Sequence, residues 1–255
     1  AGVATALSLW GDADQQSTYL PPLVGENVPA AAVAILEPRP LFDPFALQTT
    51  ATRDVDDYVL SGVKAMVPRA ADNDLLLVGA RLEDGRIGLF LVEEGALARP
   101  TPAMGVRAAA LGEVLLEDVR VPANAVLGDG DPGVYAEAVR RSRLAWCAIA
   151  VGASQAVLDY VIPYVNDRKA FGEPISHRQA VAFNVADIAI ELEGMRLATY
   201  RAAARADAGL DFARETALAR HLCSEKGTQI GSDGVQLLGG HGYVKEHPVE
   251  RWYRD

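Results

Sequence analysis

Apolar and polar positions change rhythm twice along this chain. From Ala1 to about Gly25 the spacing is helical. Asp12 is placed to cap the stretch Gln15-Gln16-Ser17-Thr18-Tyr19-Leu20, and Pro21-Pro22 to end it. Between about Val28 and Val126 the apolar residues fall into short runs: Ala30–Leu36, Tyr58–Leu60, Leu75–Ala80, Ile87–Val92 and Val114–Leu116. An Asp-Asp pair, Asn73-Asp74 and Asp84-Gly85 divide them and favour turns, so the pattern predicts an all-β domain. From Asp131 onward the helical period returns. Asp131-Pro132 offers a cap acceptor followed by Pro at the first helical position. That helix is expected to reach about Asp167, with Pro163 kinking its last turns. In the next helix Val181, Val185, Ile188, Leu192 and Met195 make one apolar stripe, and Asp187, Glu191 and Arg196 are expected on the other face. A third helix should run from about Phe212 to Leu238 and stop at Gly239-Gly240. Long helices joined by short loops predict an antiparallel bundle.

The 255 residues suffice for one large domain or two modest ones, and for a real core. A net charge of -10 argues against nonspecific binding to nucleic acid or an anionic membrane. It does not exclude a nucleotide, because local arginines can still form a positive pocket. Cys147 and Cys223 sit among apolar neighbours in predicted helices, which suits buried thiols in a reducing compartment. No apolar run is expected to span a bilayer and no signal peptide is visible, which is compatible with a cytoplasmic protein. The first residue is not Met, and Ala1 to Leu9 reads as mid-helix, so an incomplete chain is expected.

Two segments carry candidate chemistry. Arg168-Lys169-Ala170-Phe171-Gly172 is followed by Gln179; a guanidinium can grip a pyrophosphate through paired hydrogen bonds, and an aromatic face suits a flat heterocycle. The same residues also make an ordinary helix end, with a favourable cation, a packed Phe and a Gly stop. In Gln236-Leu237-Leu238-Gly239-Gly240-His241-Gly242-Tyr243, missing side chains would let backbone approach a dinucleotide while Gln236 supplies an amide. A helix cap and turn is the plainer reading. His177, His221, His241 and His247 lack metal-ligand spacing, and His241 is expected to be a surface loop residue. No serine elbow or Rossmann fingerprint is present.

Taken together with Pro248-Val249-Glu250-Arg251 and Arg254-Asp255, these segments resemble the acyl-CoA dehydrogenase flavoproteins, strongly from Arg143 to Asp255 and less so from Gln15 to Pro122. The resemblance implies an α+β multidomain fold. The end of an N-terminal helical domain would occupy 1–25, a central antiparallel β-barrel or sandwich 26–130, and an antiparallel four-helix-bundle-type domain 131–255. It implies FAD as cofactor, with Arg168, Phe171 and Gln179 reaching FAD held by a neighbouring subunit. Gln236, Gly239 and Gly240 would touch its adenosine part, and Arg143 the substrate. Leu36-Glu37-Pro38 with Asp43, and Gly62-Val63-Lys64-Ala65-Met66-Val67-Pro68, look like the family's two flavin-side segments. Here Leu36, Phe42, Met66 and Pro68 replace the usual hydroxyl and aromatic residues. Glu117-Asp118-Val119-Arg120-Val121-Pro122 fits the exit strand.

The activity implied is α,β-dehydrogenation of an acyl-CoA, with electrons passed to an electron-transfer flavoprotein by a homo-dimer or homo-tetramer. The usual catalytic carboxylate follows the Arg-Asp pair, and the family's alternative position is Ser142 here. No residue of this chain is therefore assigned as the base. Glu246 and Glu250 are expected to be solvated. Two other readings stay open: a non-catalytic FAD- or acyl-CoA-binding subunit of a heteromeric dehydrogenase, and an oxygen-using flavoenzyme of the same fold (an acyl-CoA oxidase or hydroxylase).

Overall fold

The computed structural model describes residues 2–255, which form two compact units, Ala1–Val139 and Arg140–Asp255. The first opens with helices α1 (Gly2–Trp10) and α2 (Ala13–Leu23). Asp12 caps α2 as expected. Its carboxylate accepts the Gln15 N–H at 2.7 Å, and the Gln15 side chain accepts from the Asp12 N–H, closing a capping box. Gln15 is itself buried, and its amide donates to the carbonyls of Asn124 and Val126.

One seven-stranded sheet follows, built from β1 (Ala31–Ala34), β2 (Thr50–Asp54), β3 (Asp57–Val67), β4 (Leu75–Leu82), β5 (Ile87–Val92), β6 (Leu97–Pro100) and β7 (Gly112–Pro122). The expected apolar runs fall on β1, β3, β4, β5 and β7. Strands β2 and β6 had no such run, because β2 is polar and β6 is fully exposed. The fold class holds with one refinement: the sheet is mixed. β4 pairs antiparallel with β5 along one edge, but parallel with β1 and then, at its own end, with the start of β2 along the other. Buried on both faces, β4 and β5 read as continuous apolar runs without alternation. Val3, Ala6 and Leu7 of α1 pack into the same core as Leu60, Leu77, Phe90 and Leu116, so the leading helices belong to the body of the sheet.

Helix α3 (Pro132–Asp167) starts where Asp131 Oδ1 accepts the Gly133 N–H at 2.7 Å. Its first turns bury Tyr135, Ala138 and Val139 in the first core, and Tyr135 donates to the Pro44 carbonyl at 2.6 Å. Contrary to the expectation of no bilayer-length apolar run, α3 contains an 18-residue window of mean hydropathy 1.5. Cys147, Val151, Val157, Val161 and Val165 from this helix lie in the core of the second unit.

The second unit combines α3 from Arg140 with α4 (Gln179–Asp207), α5 (Ala213–Leu238) and the short α6 (Val249–Arg254). Among the described residues this makes three long helices. α4 runs antiparallel to α5: Glu191 meets Lys226 at the middle of both helices, and Arg205 at the end of α4 meets Glu215 at the start of α5. α5 runs parallel to α3, with Gly227 beside Ala150 and Gly234 against Val157. The predicted stripe is the buried one, with Ile188, Leu192 and Met195 enclosed. The opposite face departs from expectation. Besides its charges it exposes Phe183, Ile190, Leu197 and Tyr200. Cys147 and Cys223 are buried free thiols, and Thr199 Oγ1 lies 3.6 Å from the Cys223 sulfur. The hydrogen bond between the two thiols, together with burial, pushes the Cys147 thiol up from its ordinary value.

Candidate functional site

In the first unit the two segments singled out from sequence, Leu36-Glu37-Pro38 and Gly62 to Pro68, are joined by a buried ion pair. Lys64 Nζ lies 3.1 Å from Glu37 Oε1 and also donates to the Ile35 carbonyl at 3.3 Å. The Lys64 side chain has no exposed surface. Glu37 further accepts the N–H groups of Gln48 and Thr49 and the Thr49 hydroxyl. Burial alone would raise the Glu37 pKa. The two backbone donors, the Lys64 charge and the Thr49 hydroxyl outweigh it and hold the carboxyl below its ordinary value. Burial pushes the Lys64 ammonium down to about 8, against the pull of Glu37 and with a smaller push from Arg39. The sequence signal was strand alternation: Lys64 falls on the buried side of β3 with Leu60, where a cation requires a partner. Gly62, at φ 153°, is required here, since a Cβ would stand 2.6 Å from Thr49 Oγ1.

This staple has a local effect. The Ala65 N–H donates to the Leu36 carbonyl at 2.8 Å, and the β3–β7 register shifts between Lys64 and Val67. At that bulge Met66 adopts φ 52° and is half-exposed, as is Leu36. Bulges re-aim side chains in this way, and a β-strand Met at positive φ is strained. Pro68 is exposed too. Phe42 instead packs on the core edge beneath the Arg39 guanidinium, 5.3 Å from the ring centre. Asp43 caps its own loop through the Phe45 N–H.

In the second unit Arg168 ends α3 and enters a two-residue hairpin, β8 (Lys169–Ala170) and β9 (Glu173–Pro174). Its N–H donates to the Tyr164 carbonyl and its carbonyl accepts the Ile175 N–H. Phe171 sits at the tip at φ 57°, 96% exposed, with the Arg178 guanidinium 5.7 Å from its ring. Glu173 holds Arg178 at 3.1 Å and His177 at 3.4 Å. Gln179 is the first residue of α4 and is exposed, as is Arg168. One structure thus gathers Arg168, Phe171 and Gln179.

Gln236 is exposed on the last turn of α5, and its carbonyl accepts the Gly239 N–H. Gly239 has φ 58°, and a Cβ on either Gly239 or Gly240 would meet nothing within 4 Å. This turn is fastened to α3 by a cluster that sequence reasoning missed. Tyr164, one helical turn before Arg168, contacts the Leu238 carbonyl at 3.3 Å and His241 Nδ1 at 2.8 Å. Tyr160, a turn earlier, contacts His247 Nδ1 at 2.8 Å, and the two imidazoles stack 5.3 Å apart. His241 is therefore an exposed residue of the turn, as expected, and is held in place by Tyr164. The signal was the i, i+4 tyrosine pair on the last turns of a helix. Through Tyr164 the Arg168 hairpin and the Gln236 turn are held at the same end of the helical unit.

The remaining candidates are less prominent. Arg143 is half-buried on α3, one residue after Ser142. Glu246 is exposed, whereas Glu250 is largely buried against Arg254, which corrects its expected solvation. No cluster of three metal-ligating side chains occurs among the described residues.

Comparison with known proteins gives concordant matches. Residues 32–119 match the model for the acyl-CoA dehydrogenase middle domain, and residues 133–255 that for the C-terminal domain. The mitochondrial short-chain specific acyl-CoA dehydrogenase of Bos taurus is 35% identical over 257 residues, covering 96% of this chain but 62% of that protein. A probable acyl-CoA dehydrogenase, YngJ, of Bacillus subtilis is 34% identical, covering 99% of this chain and 69% of its own. The structure of butyryl-CoA dehydrogenase from Megasphaera elsdenii superposes with a TM-score of 0.89 at 29% identity, over 98% of this chain and 68% of that one. The chain thus spans about two thirds of the length of these relatives.

Proposed function

The chain belongs to the acyl-CoA dehydrogenase family, and from that footing we propose that the whole protein is an FAD-dependent enzyme that removes hydrogen across the α,β bond of an acyl-CoA thioester. One observation carries the reading: the exposed Arg168–Phe171–Gln179 group and the exposed Gln236–Gly240 turn share one end of the helical unit, fastened through Tyr164. The donor set fits a dinucleotide. Open space where Cβ atoms would sit on Gly239 and Gly240 leaves that backbone approachable, and Gln236 adds a directional amide beside it. The Arg168 guanidinium suits a pyrophosphate, and the exposed Phe171 ring suits a flat heterocycle. FAD bound there supplies the hydride acceptor for the β-carbon.

The chain's own residues bind and orient. Glu37 and Lys64 hold the β3 bulge that presents Met66, and Arg143 is assigned to the substrate side. A carboxylate takes the α-proton in such chemistry; none of the residues described here is given that role. The proposal extends to a homo-dimer or homo-tetramer, with Arg168 and Gln236 acting toward a neighbouring subunit, and to an electron-transfer flavoprotein as acceptor.

The test is an anaerobic titration of the full-length protein with a panel of acyl-CoAs, following bound-flavin absorbance. Bleaching by one class of acyl-CoA establishes the dehydrogenase and its substrate range together. A flavin that binds but never bleaches removes the dehydrogenation. Absence of flavin, even with FAD added, removes the cofactor assignment as well.

A further inference from the structure

Cys147 on α3 and Cys223 on α5 are the two cysteines of this sequence, and they face each other across a helix–helix contact. The spacing of that contact can be read beside them. A Cβ on Gly227 would lie 3.8 Å from the Ala150 Cβ. Two turns further along, a Cβ on Gly234 would again lie 3.8 Å from the Val157 Cβ. The two helices thus run parallel at a constant separation over these turns. Cβ atoms joined through a disulfide stand about 3.5–4.5 Å apart, so this separation is one that a disulfide can bridge. Cys147 precedes Ala150 by one helical turn, and Cys223 precedes Gly227 by one, which places both on the preceding turn of the same contact.

The hydrogen bonds around the pair favour the same change. The Thr199 hydroxyl donates to the Met195 carbonyl at 2.8 Å, so its oxygen is the acceptor for the Cys223 S–H at 3.6 Å. Cys223 accepts in turn from Cys147. Oxidation removes both S–H protons and leaves the Thr199–Met195 bond in place, so no buried donor loses its acceptor. The two thiols are also unequal. The Cys147 S–H holds the Cys223 thiol below its ordinary value, with Thr199 assisting and burial opposing. Cys223 is therefore the nucleophile of the pair, because the thiolate is the reactive form.

We propose that Cys147 and Cys223 form a redox-modification site, at which a small hydroperoxide converts the facing thiols to a disulfide joining α3 to α5 inside the helical unit. The Cys223 thiolate attacks hydrogen peroxide: an S–O bond forms, the O–O bond breaks, and the departing hydroxide takes up the proton that the thiol released. The Cys147 sulfur then attacks the Cys223 sulfenic acid. The S–S bond forms, the S–O bond breaks, and the hydroxyl leaves as water with the Cys147 proton. Two thiols give up two electrons, and the peroxide is reduced to two waters. At 3% exposure for Cys147 and 4% for Cys223, bulky reagents are kept out and the oxidant must be small. The site lies wholly within the second unit and does not depend on the flavin reading.

The experiment treats the native full-length protein with hydrogen peroxide, alkylates the remaining thiols in denaturant, and maps the peptides by mass spectrometry without reduction. The expected result is one linked pair of peptides carrying Cys147 and Cys223, absent before treatment. Met104, 73% exposed, reports that the oxidant was active. Cys147 and Cys223 recovered as free thiols while Met104 has become its sulfoxide would overturn the proposal. So would either cysteine linked to a different thiol. Two variants test the order of attack with dimedone, which traps sulfenic acids. Cys147→Ala, which keeps Cys223, is expected to take up about tenfold more label than Cys223→Ala, which keeps Cys147. Equal labelling would overturn the assignment of Cys223 as nucleophile. The linkage itself is read on the unsubstituted chain and does not require either variant to fold.

Discussion

Lys64 Nζ stands 3.1 Å from Glu37 Oε1, and among the described residues of the first unit this pair is the one place where two opposite charges are both buried. The partners are unequally supported. Glu37 keeps three further donors from Gln48 and Thr49 when the lysine is lost, whereas Lys64 keeps only the Ile35 carbonyl when the glutamate charge is lost. Glu37→Gln is therefore expected to cost about 3–5 kcal/mol, the scale for stranding a buried charge, and Lys64→Met clearly less. Urea denaturation of both variants checks the order; equal losses would count against it.

The same pair predicts a pH signature. Glu37 titrates lower in the folded chain than in the unfolded one, so its stabilisation is complete above the ordinary glutamate range of ~4.3 and is lost as pH falls through the depressed value. Lys64 is lowered to about 8. Between there and the ordinary ~10.4 the unfolded chain binds a proton that the folded chain does not, so stability rises with pH in that window. Wild type should gain on Lys64→Met between pH 8 and 10. A constant difference across that range would contradict the shift.

Tyr164→Phe removes the hydroxyl that contacts both Leu238 and His241. The expected loss is about 1 kcal/mol. In the full-length protein the Gly239–Gly240 turn should become faster in amide exchange and FAD retention weaker. Tyr160→Phe, which removes a hydroxyl bonded to His247 and keeps the ring against Trp252, should affect flavin less. Equal flavin loss in the two variants would remove Tyr164 from its positioning role.

Two helical glycines make an opposed pair. A Cβ at Gly152 meets nothing within 4 Å, so Gly152→Ala should stabilise α3 by up to ~1 kcal/mol through helix propensity. A Cβ at Gly234 would lie 2.7 Å from Val157 Cγ1, so Gly234→Ala should cost about 1–3 kcal/mol by overpacking α3 against α5. Thermal melts of both variants test the packing directly.

Local signals were readable where one residue dictates its own surroundings. The Asp12 and Asp131 caps, the Ile188–Leu192–Met195 stripe and the Gly239 stop depend on spacing alone, and they stand where spacing put them. Strand β2 was not readable, because Thr50–Asp54 is held by its neighbours β3 and β4 and carries little apolar content of its own. The parallel pairing of β1 with β4 joins residues more than forty apart, and no local period records such a match. Among the site residues, Arg168, Phe171 and Gln179 were found by motif, and their shared hairpin follows from short-range geometry. The Tyr164–His241 contact spans 77 positions, and the charge of Lys64 gave no hint of which carboxylate would answer it. The second apolar face of α4 is interleaved with charged residues, which break its period in the sequence.

The 36 residues of α3 pass without interruption from one hydrophobic core into the other, with Val139 in the first and Cys147 in the second. The boundary between the units therefore falls mid-helix and not in a flexible linker. Cutting the gene at Val139 and Arg140 would leave two raw helix ends, each with a turn of unpaired backbone groups and no cap. Recombination that exchanges whole modules at that point, natural or engineered, has no neutral place to join. Either half can be transplanted cleanly only if the helix travels with it.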